Sequence, residues 1–163
     1  MEMILIAQDA NPQPRAFQGM VALALDTDFF TSEFRLCDSI AEYLADIVAQ
    51  SHEDPARYAN FSSLIINEIV ELAFRTAQHF GKIDFNVVRD ADCVRVCVGF
   101  PSGETGQAIL QAFDRSGDTG SQPGPARDLL TLSQSVPVDL YSEMDGNSRI
   151  TLIADFFPLK EAD

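Results

Sequence analysis

Residues 61–77 read FSSLIINEIVELAFRTA, the most apolar long segment of the chain, yet Glu68, Glu71 and Arg75 lie inside it. At 3.6 residues per turn, Phe61, Leu64, Ile65, Glu68, Ile69, Leu72, Ala73 and Thr76 share one broad stripe, which Ile66, Val70, Phe74 and Ala77 widen. The pattern predicts a core helix capped by Asn60, running to about His79 and stopped by Gly81. Glu71 falls nearer the polar edge, one turn before Arg75, so an i, i+4 ion pair worth a few tenths of a kcal/mol is expected there. Glu68 is harder to place. A carboxylate on a core-facing stripe is costly unless it is paired or solvated by a cleft.

Working outward, Leu36, Ile40, Tyr43, Leu44 and Ile47 repeat at helical spacing and predict an amphipathic helix over 35–50. The polar break SHEDPARYAN separates it from the next helix. Beyond Gly81 the period changes to two. Ile83, Phe85 and Val87 alternate with Lys82, Asp84 and Asn86, and Val94, Val96 and Val98 alternate with Arg95 and Cys97. RDAD between them reads as the turn of a hairpin. Short strands are also expected at 3–7 and 20–25, around a loop containing two prolines. A short helix is expected at 105–113, a polar, breaker-rich mobile loop at 114–128, and another helix at 125–133. VPVDLYSEM and SRITLIADFF flank Asp145-Gly146, a hairpin turn signal. The order implies one domain over 1–163, an α/β (α+β) two-layer sandwich. Its sheet should be mixed but largely antiparallel, with the 35–50 and 61–79 helices on one face.

Composition narrows the function classes. The chain carries 25 acidic and 11 basic residues, a formal charge of −14, with lysine only at Lys82 and Lys160. Phosphate binding relies on clustered cations, so neither nucleic acid nor an anionic membrane is an expected partner. A saline habitat would also explain the acidity. The start, MEMILIAQ, lacks a basic region and a cleavage-type site, and no apolar run approaches a membrane span; a mature cytoplasmic protein is expected. Three cysteines fit a reducing compartment.

Few residues carry obvious chemistry. His52 lies in a polar break and His79 at a helix end, where structural roles outweigh catalysis. Cys93 and Cys97 should share a strand face with Arg95, too far apart along it for a mutual disulfide. Cys37 reads as a small buried apolar residue. With two histidines remote in sequence, no metal site is expected. SGDTGSQPGP has glycines but no lysine, so it is not a P-loop.

The segment NEIVELAFRTAQHFGKIDFNV resembles the N-box region of the histidine-kinase-like ATPase (GHKL) superfamily, above all its short single-domain bacterial regulators such as anti-sigma serine kinases and SiaB-type kinases. Asn67, Glu68, Ile69, Glu71, Ala73 and Phe74 fit that line. The likeness extends over about 35–157 but is specific over about twenty residues. It implies a mixed sheet backed by helices, with Glu68 where relatives keep the general base for phosphoryl transfer.

Three departures set this chain apart from active relatives. Leu72 stands where the family keeps an asparagine that helps hold magnesium, a hard cation that needs oxygen ligands. In VGFPSGETG, Gly99 is present but no aspartate precedes it to read the adenine amino group. ARDLLTL places Ala126 and Asp128 where glycines would admit phosphate, and a carboxylate at a helix N-terminus takes the anion's place. Asn67, Glu68, Leu72, Gly99 and Asp128 are therefore expected to form a vestigial nucleotide site with no cofactor. The resemblance then implies a signalling regulator acting by partner switching on a STAS-type antagonist, a sigma factor or a response-regulator domain, with a homodimer compatible. The alternative is an active serine/threonine protein kinase that uses ATP with magnesium and Glu68 as base.

Overall fold

Asp54 and Pro55 open the central helix. The Asp54 side chain accepts a hydrogen bond from the Arg57 backbone N–H at 3.2 Å, and Pro55, whose missing N–H costs nothing there, occupies the first turn. The computed structural model describes residues 16–27, 35–50, 52–77, 81–102, 138–144 and 149–157. Within them the order is β1 (Gln18–Asp26), α1 (Arg35–Ala49), α2 (Pro55–Thr76), β2 (Lys82–Arg89), β3 (Val94–Pro101), β4 (Val138–Met144) and β5 (Arg149–Phe156). Asn60 is thus inside α2 rather than its cap. The polar break is half helix because Asp-Pro is the stronger start signal, and because Tyr58 is buried, donating its hydroxyl to the Phe157 carbonyl at 2.7 Å. The expected strand at 3–7, the helices at 105–113 and 125–133, the 114–128 loop, the Asp145-Gly146 turn, His79 and Asp128 lie outside the described residues.

The strands form one sheet in the order β1-β2-β3-β5-β4, and every described ladder is antiparallel. No parallel pair occurs among the described residues. Register decides the core. Phe85 pairs with Val98, Val87 with Val96, Val96 with Ala154, Val98 with Leu152 and Phe100 with Ile150. Directly paired residues project to the same face, so these side chains form one apolar surface. The buried side of α2 (Ile65, Ile66, Ile69, Leu72, Ala73) and that of α1 (Cys37, Ala41, Leu44, Val48) join it in a single core. Both helices lie on this one face.

The β2–β3 turn is built by Asp90, whose carboxylate accepts the backbone N–H groups of Asp92 at 2.7 Å and Cys93 at 2.8 Å. That placement leaves Cys93 at the hairpin base, outside the strand, so only Cys97 shares a strand face with Arg95. At the other end of the sheet, Ala77 after α2 bridges Ser102 after β3. Gly81 makes the return with φ +147°, and a Cβ there would sit 2.8 Å from Pro101 Cγ. Its carbonyl accepts Thr27 N–H at 3.0 Å. Gly81→Ala therefore combines a conformation L-residues avoid with a clash, and is expected to cost about 1–3 kcal/mol in urea denaturation. An unchanged midpoint would disprove this account of the turn.

Candidate functional site

On α2 the singled-out residues separate by face. Glu71 Oε2 lies 3.6 Å from Arg75 Nη2, the ion pair expected from spacing, and Glu71 Oε1 accepts from Asn67 Nδ2 at 3.5 Å. The Asn67 Oδ1 atom is buried and has no hydrogen-bond partner among the described residues. Glu68 is half-buried. Leu72 is 5% exposed and belongs to the core cluster that also contains Phe100. The Thr76 hydroxyl donates to the Leu72 carbonyl, so it is engaged within the helix. Asn67 and Leu72 are five residues apart, about 140° around the helix, so the unpaired amide oxygen and the leucine do not converge on one point.

Gly99 lies within β3, paired with Asp84 on one side and Thr151 on the other, rather than in a turn after the strand. Its missing side chain would point toward Thr151 and Arg149, on the face away from the helices. The structure thus brings Asn67, Glu68 and Leu72 onto one helix and sets Gly99 on the opposite side of the sheet. Leu72, at its position on α2, would offer a magnesium ion no oxygen donor, while Asn67 and Glu68 carry oxygens.

The sheet face away from the helices carries the most ordered polar arrangement. Arg95 donates to Asp155 through both ends of its guanidinium, Nε to Oδ1 at 2.7 Å and Nη2 to Oδ2 at 3.1 Å. The Tyr141 hydroxyl donates to Asp155 Oδ2 at 3.2 Å, and Phe17 lies 4.3 Å from the guanidinium carbon. Asp155 is 5% exposed, so its charge is matched by a bidentate partner rather than by water. Nearby, Arg149 pairs with the Asp84 carboxylate and donates to the carbonyls of Lys82 at 3.0 Å and Gly99 at 3.1 Å. Sequence reading missed both arrangements. The signal was there, an aspartate in the apolar run ITLIADFF and an arginine among valines, but the partners are 60 residues apart.

A cleft of about 300 Å³ opens at the β2–β3 turn, lined by His52, Arg89, Asp90, Cys93 and Phe156 among others. His52 stacks on Tyr58 with ring centroids 3.5 Å apart, and burial lowers its pKa below the ordinary value by disfavouring the charged imidazolium. This cleft is at the start of α2, about 25 Å along the helix from Leu72. It is lined by His52 and Cys93 but does not include Asn67, Glu68, Leu72 or Gly99.

Burial also raises the pKa of two thiols and two tyrosines. It pushes the Cys37 thiol up to about 11, helped by the Glu71 charge, and the Cys97 thiol up to about 11. Tyr58 and Tyr141 each rise to about 12, again chiefly through burial. A raised pKa in the folded state means the native protein holds protons that the unfolded chain releases. The associated stability is complete below the unfolded values, 9.0 for the thiols and 10.0 for the tyrosines, and is lost as pH climbs to about 11 and 12. Urea midpoints are expected to hold up to about pH 9 and to fall steadily above it. A flat profile from pH 9 to 11 would show that the thiols are not buried as described.

The fold these elements define is an antiparallel sheet with a helix pair on one face. No family model and no curated protein sequence matches the chain. Among solved structures it is similar to a chain of the SiaB–SiaC complex from Pseudomonas aeruginosa, with a TM-score of 0.54 and 12% identity, covering 94% of this chain and 96% of that one. A nucleotide-free catalytic domain of the histidine kinase ThkA also matches, with a TM-score of 0.47 and 12% identity over 85% of this chain and 96% of that one. Among the described residues no helix is long and apolar enough to cross a membrane.

Proposed function

We propose that this chain is a signalling regulator with a kinase-like fold that works by binding a protein partner, its nucleotide site having degenerated. The observation that carries the reading is the buried Leu72 at the helix position where a metal-holding amide would be needed. With an apolar side chain built into the core there, Glu68 has no metal-bound phosphate to act upon. Partner binding is supported by the SiaB–SiaC complex, in which a chain of this fold was found with another protein. It is also supported by the helix surface. Tyr43 on α1 is 52% exposed and Leu64 on α2 is 55% exposed, with Phe61 exposed beside Leu64 on the same helix. Along α1 the exposed Asp38, Glu42 and Asp46 follow at four-residue intervals. Such a surface suits a partner that offers an apolar centre rimmed by basic side chains, whether a STAS-type antagonist, a sigma factor or a response-regulator domain.

The test is calorimetric titration and thermal unfolding with magnesium and ATP or ADP at millimolar concentration. No heat of binding and no shift are expected. A ligand at a hundred times its dissociation constant would add about 2.7 kcal/mol, a plainly visible shift. A magnesium-dependent shift would overturn the reading in favour of a serine/threonine kinase using ATP, with Glu68 as base.

A further inference from the structure

Arg89 closes β2 on the helix-bearing side of the sheet. It pairs with Val94, and Val94 with Phe156, so the three side chains form one row across β2, β3 and β5. Val94 and Phe156 are buried, whereas Arg89 is exposed and has no ion pair or side-chain hydrogen bond among the described residues. An arginine without a carboxylate partner stands out in a chain with 25 acidic and 11 basic residues. It lines the cleft of about 300 Å³ together with His52, Ala91 and Cys93. Both walls of this cleft are tied in place. Asp90 fixes the turn by accepting the N–H groups of Asp92 and Cys93 and by donating its own N–H to the Cys93 carbonyl at 3.0 Å. The His52 ring lies flat on Tyr58, whose hydroxyl is anchored to the Phe157 carbonyl just beyond β5.

We propose that this cleft binds a small monocarboxylate with an apolar body. The carboxylate takes the Arg89 guanidinium, whose parallel N–H groups match its two oxygens. The body lies toward Val94, Phe156 and the flat His52 ring. Charge and size select the ligand. Asp90 and Asp92 also line the cleft, and a phosphate dianion meets more repulsion from them than a single carboxylate does. Burial disfavours the imidazolium of His52, so Arg89 supplies the positive charge of the described lining and matches one negative charge. A metal ion is not the fitting occupant. No three His, Cys, Asp or Glu side chains among the described residues are placed to hold one, and the Asp90 carboxylate is engaged in the turn. A cleft of about 300 Å³ lies at the lower end of small-molecule sites, which span about 300–1,000 Å³, and suits one ring or a short chain rather than a nucleotide. The site is at the other end of α2 from Leu72, so it is independent of whether nucleotide binds there.

Heteronuclear NMR titration of the full chain with benzoate and with hexanoate, in the absence of nucleotide and magnesium, tests it. Saturable shifts with one or both are expected at the backbone amides of Ala91 to Val94 and at the His52 ring, with a dissociation constant of about 1 mM or below. Benzamide and hexanamide keep the body and lose the charge, and should bind at least about tenfold more weakly, as should inorganic phosphate. Arg89→Gln should weaken carboxylate binding at least about tenfold. Because Arg89 is exposed, that variant should keep the parent circular-dichroism spectrum. Lys82→Gln, which removes one positive charge at the far end of β2, should leave binding unchanged. The proposal is overturned if neither carboxylate gives saturable shifts at about 20 mM, where a millimolar site is nearly full. It is equally overturned if the amides or phosphate bind as tightly as the carboxylates, if Arg89→Gln binds as the parent does, or if Lys82→Gln weakens binding as much as Arg89→Gln. The comparison of carboxylate with amide uses the parent chain and stands even if a variant fails to fold.

Discussion

Asp155→Ala is expected to lower the stability of the domain by about 3 kcal/mol, with the loss concentrated in the exposure of Arg95 rather than in core packing. Asp155 accepts two hydrogen bonds from Arg95 and one from Tyr141, and it is nearly inaccessible to water. Removing one member of a buried, bidentate pair leaves the other charge without its match, which in comparable sites costs about 3–5 kcal/mol. Arg95 is partly exposed and lies over the Phe17 ring, so some of that cost is relieved by water and by the ring, and the lower end applies. Arg95→Leu combined with Asp155→Leu should recover most of the loss, because the Val88–Arg95 and Arg95–Asp155 register lets leucines extend an apolar strip beside Ile153. Urea denaturation of the two single variants and the double variant gives the coupling directly. Additive losses would mean that the pair contributes no specific interaction.

Leu72→Asn is expected to destabilise by about 3 kcal/mol and to confer no affinity for magnesium and ATP. The side chain is almost wholly buried, and an amide there forfeits the burial of a leucine while leaving polar atoms without designed partners. The same substitution introduces the asparagine that the resemblance to the N-box pattern implies for a magnesium-holding position, so it separates two explanations of the site. If the only defect were the missing ligand, binding would return. Gly99 is held inside β3, its missing side chain toward Thr151 and Arg149 on the face away from the helices, so the substitution at Leu72 alone is not expected to complete a pocket. Calorimetric titration together with chemical denaturation decides the matter. A neutral stability change accompanied by nucleotide binding would sink the degenerate-site reading.

What the sequence determined by itself was the alternation of periods. Ile83, Phe85 and Val87 against Lys82, Asp84 and Asn86 marked β2 and its buried face, and the helical stripe from Ile65 to Ala73 marked the side of α2 that meets the sheet. The Glu71–Arg75 pair was equally legible, since four residues on a helix is a fixed geometry. These are local rules, and a local pattern suffices to state them. The Asp54-Pro55 helix start was local too, but a polar break drew attention to composition where the capping chemistry of two residues mattered more. Other features were decided only by the tertiary structure. Arg95 finds Asp155, Arg149 finds Asp84, and Tyr58 finds the Phe157 carbonyl across 60, 65 and 99 residues. The direction of Gly99, away from the helix that carries Glu68, follows from strand register, which no single strand contains. Pairing in a sheet joins segments distant in the chain, and each one-residue shift would turn every side chain to the other face. The chemistry of the residues is therefore written locally, while which of them meet is settled by the sheet.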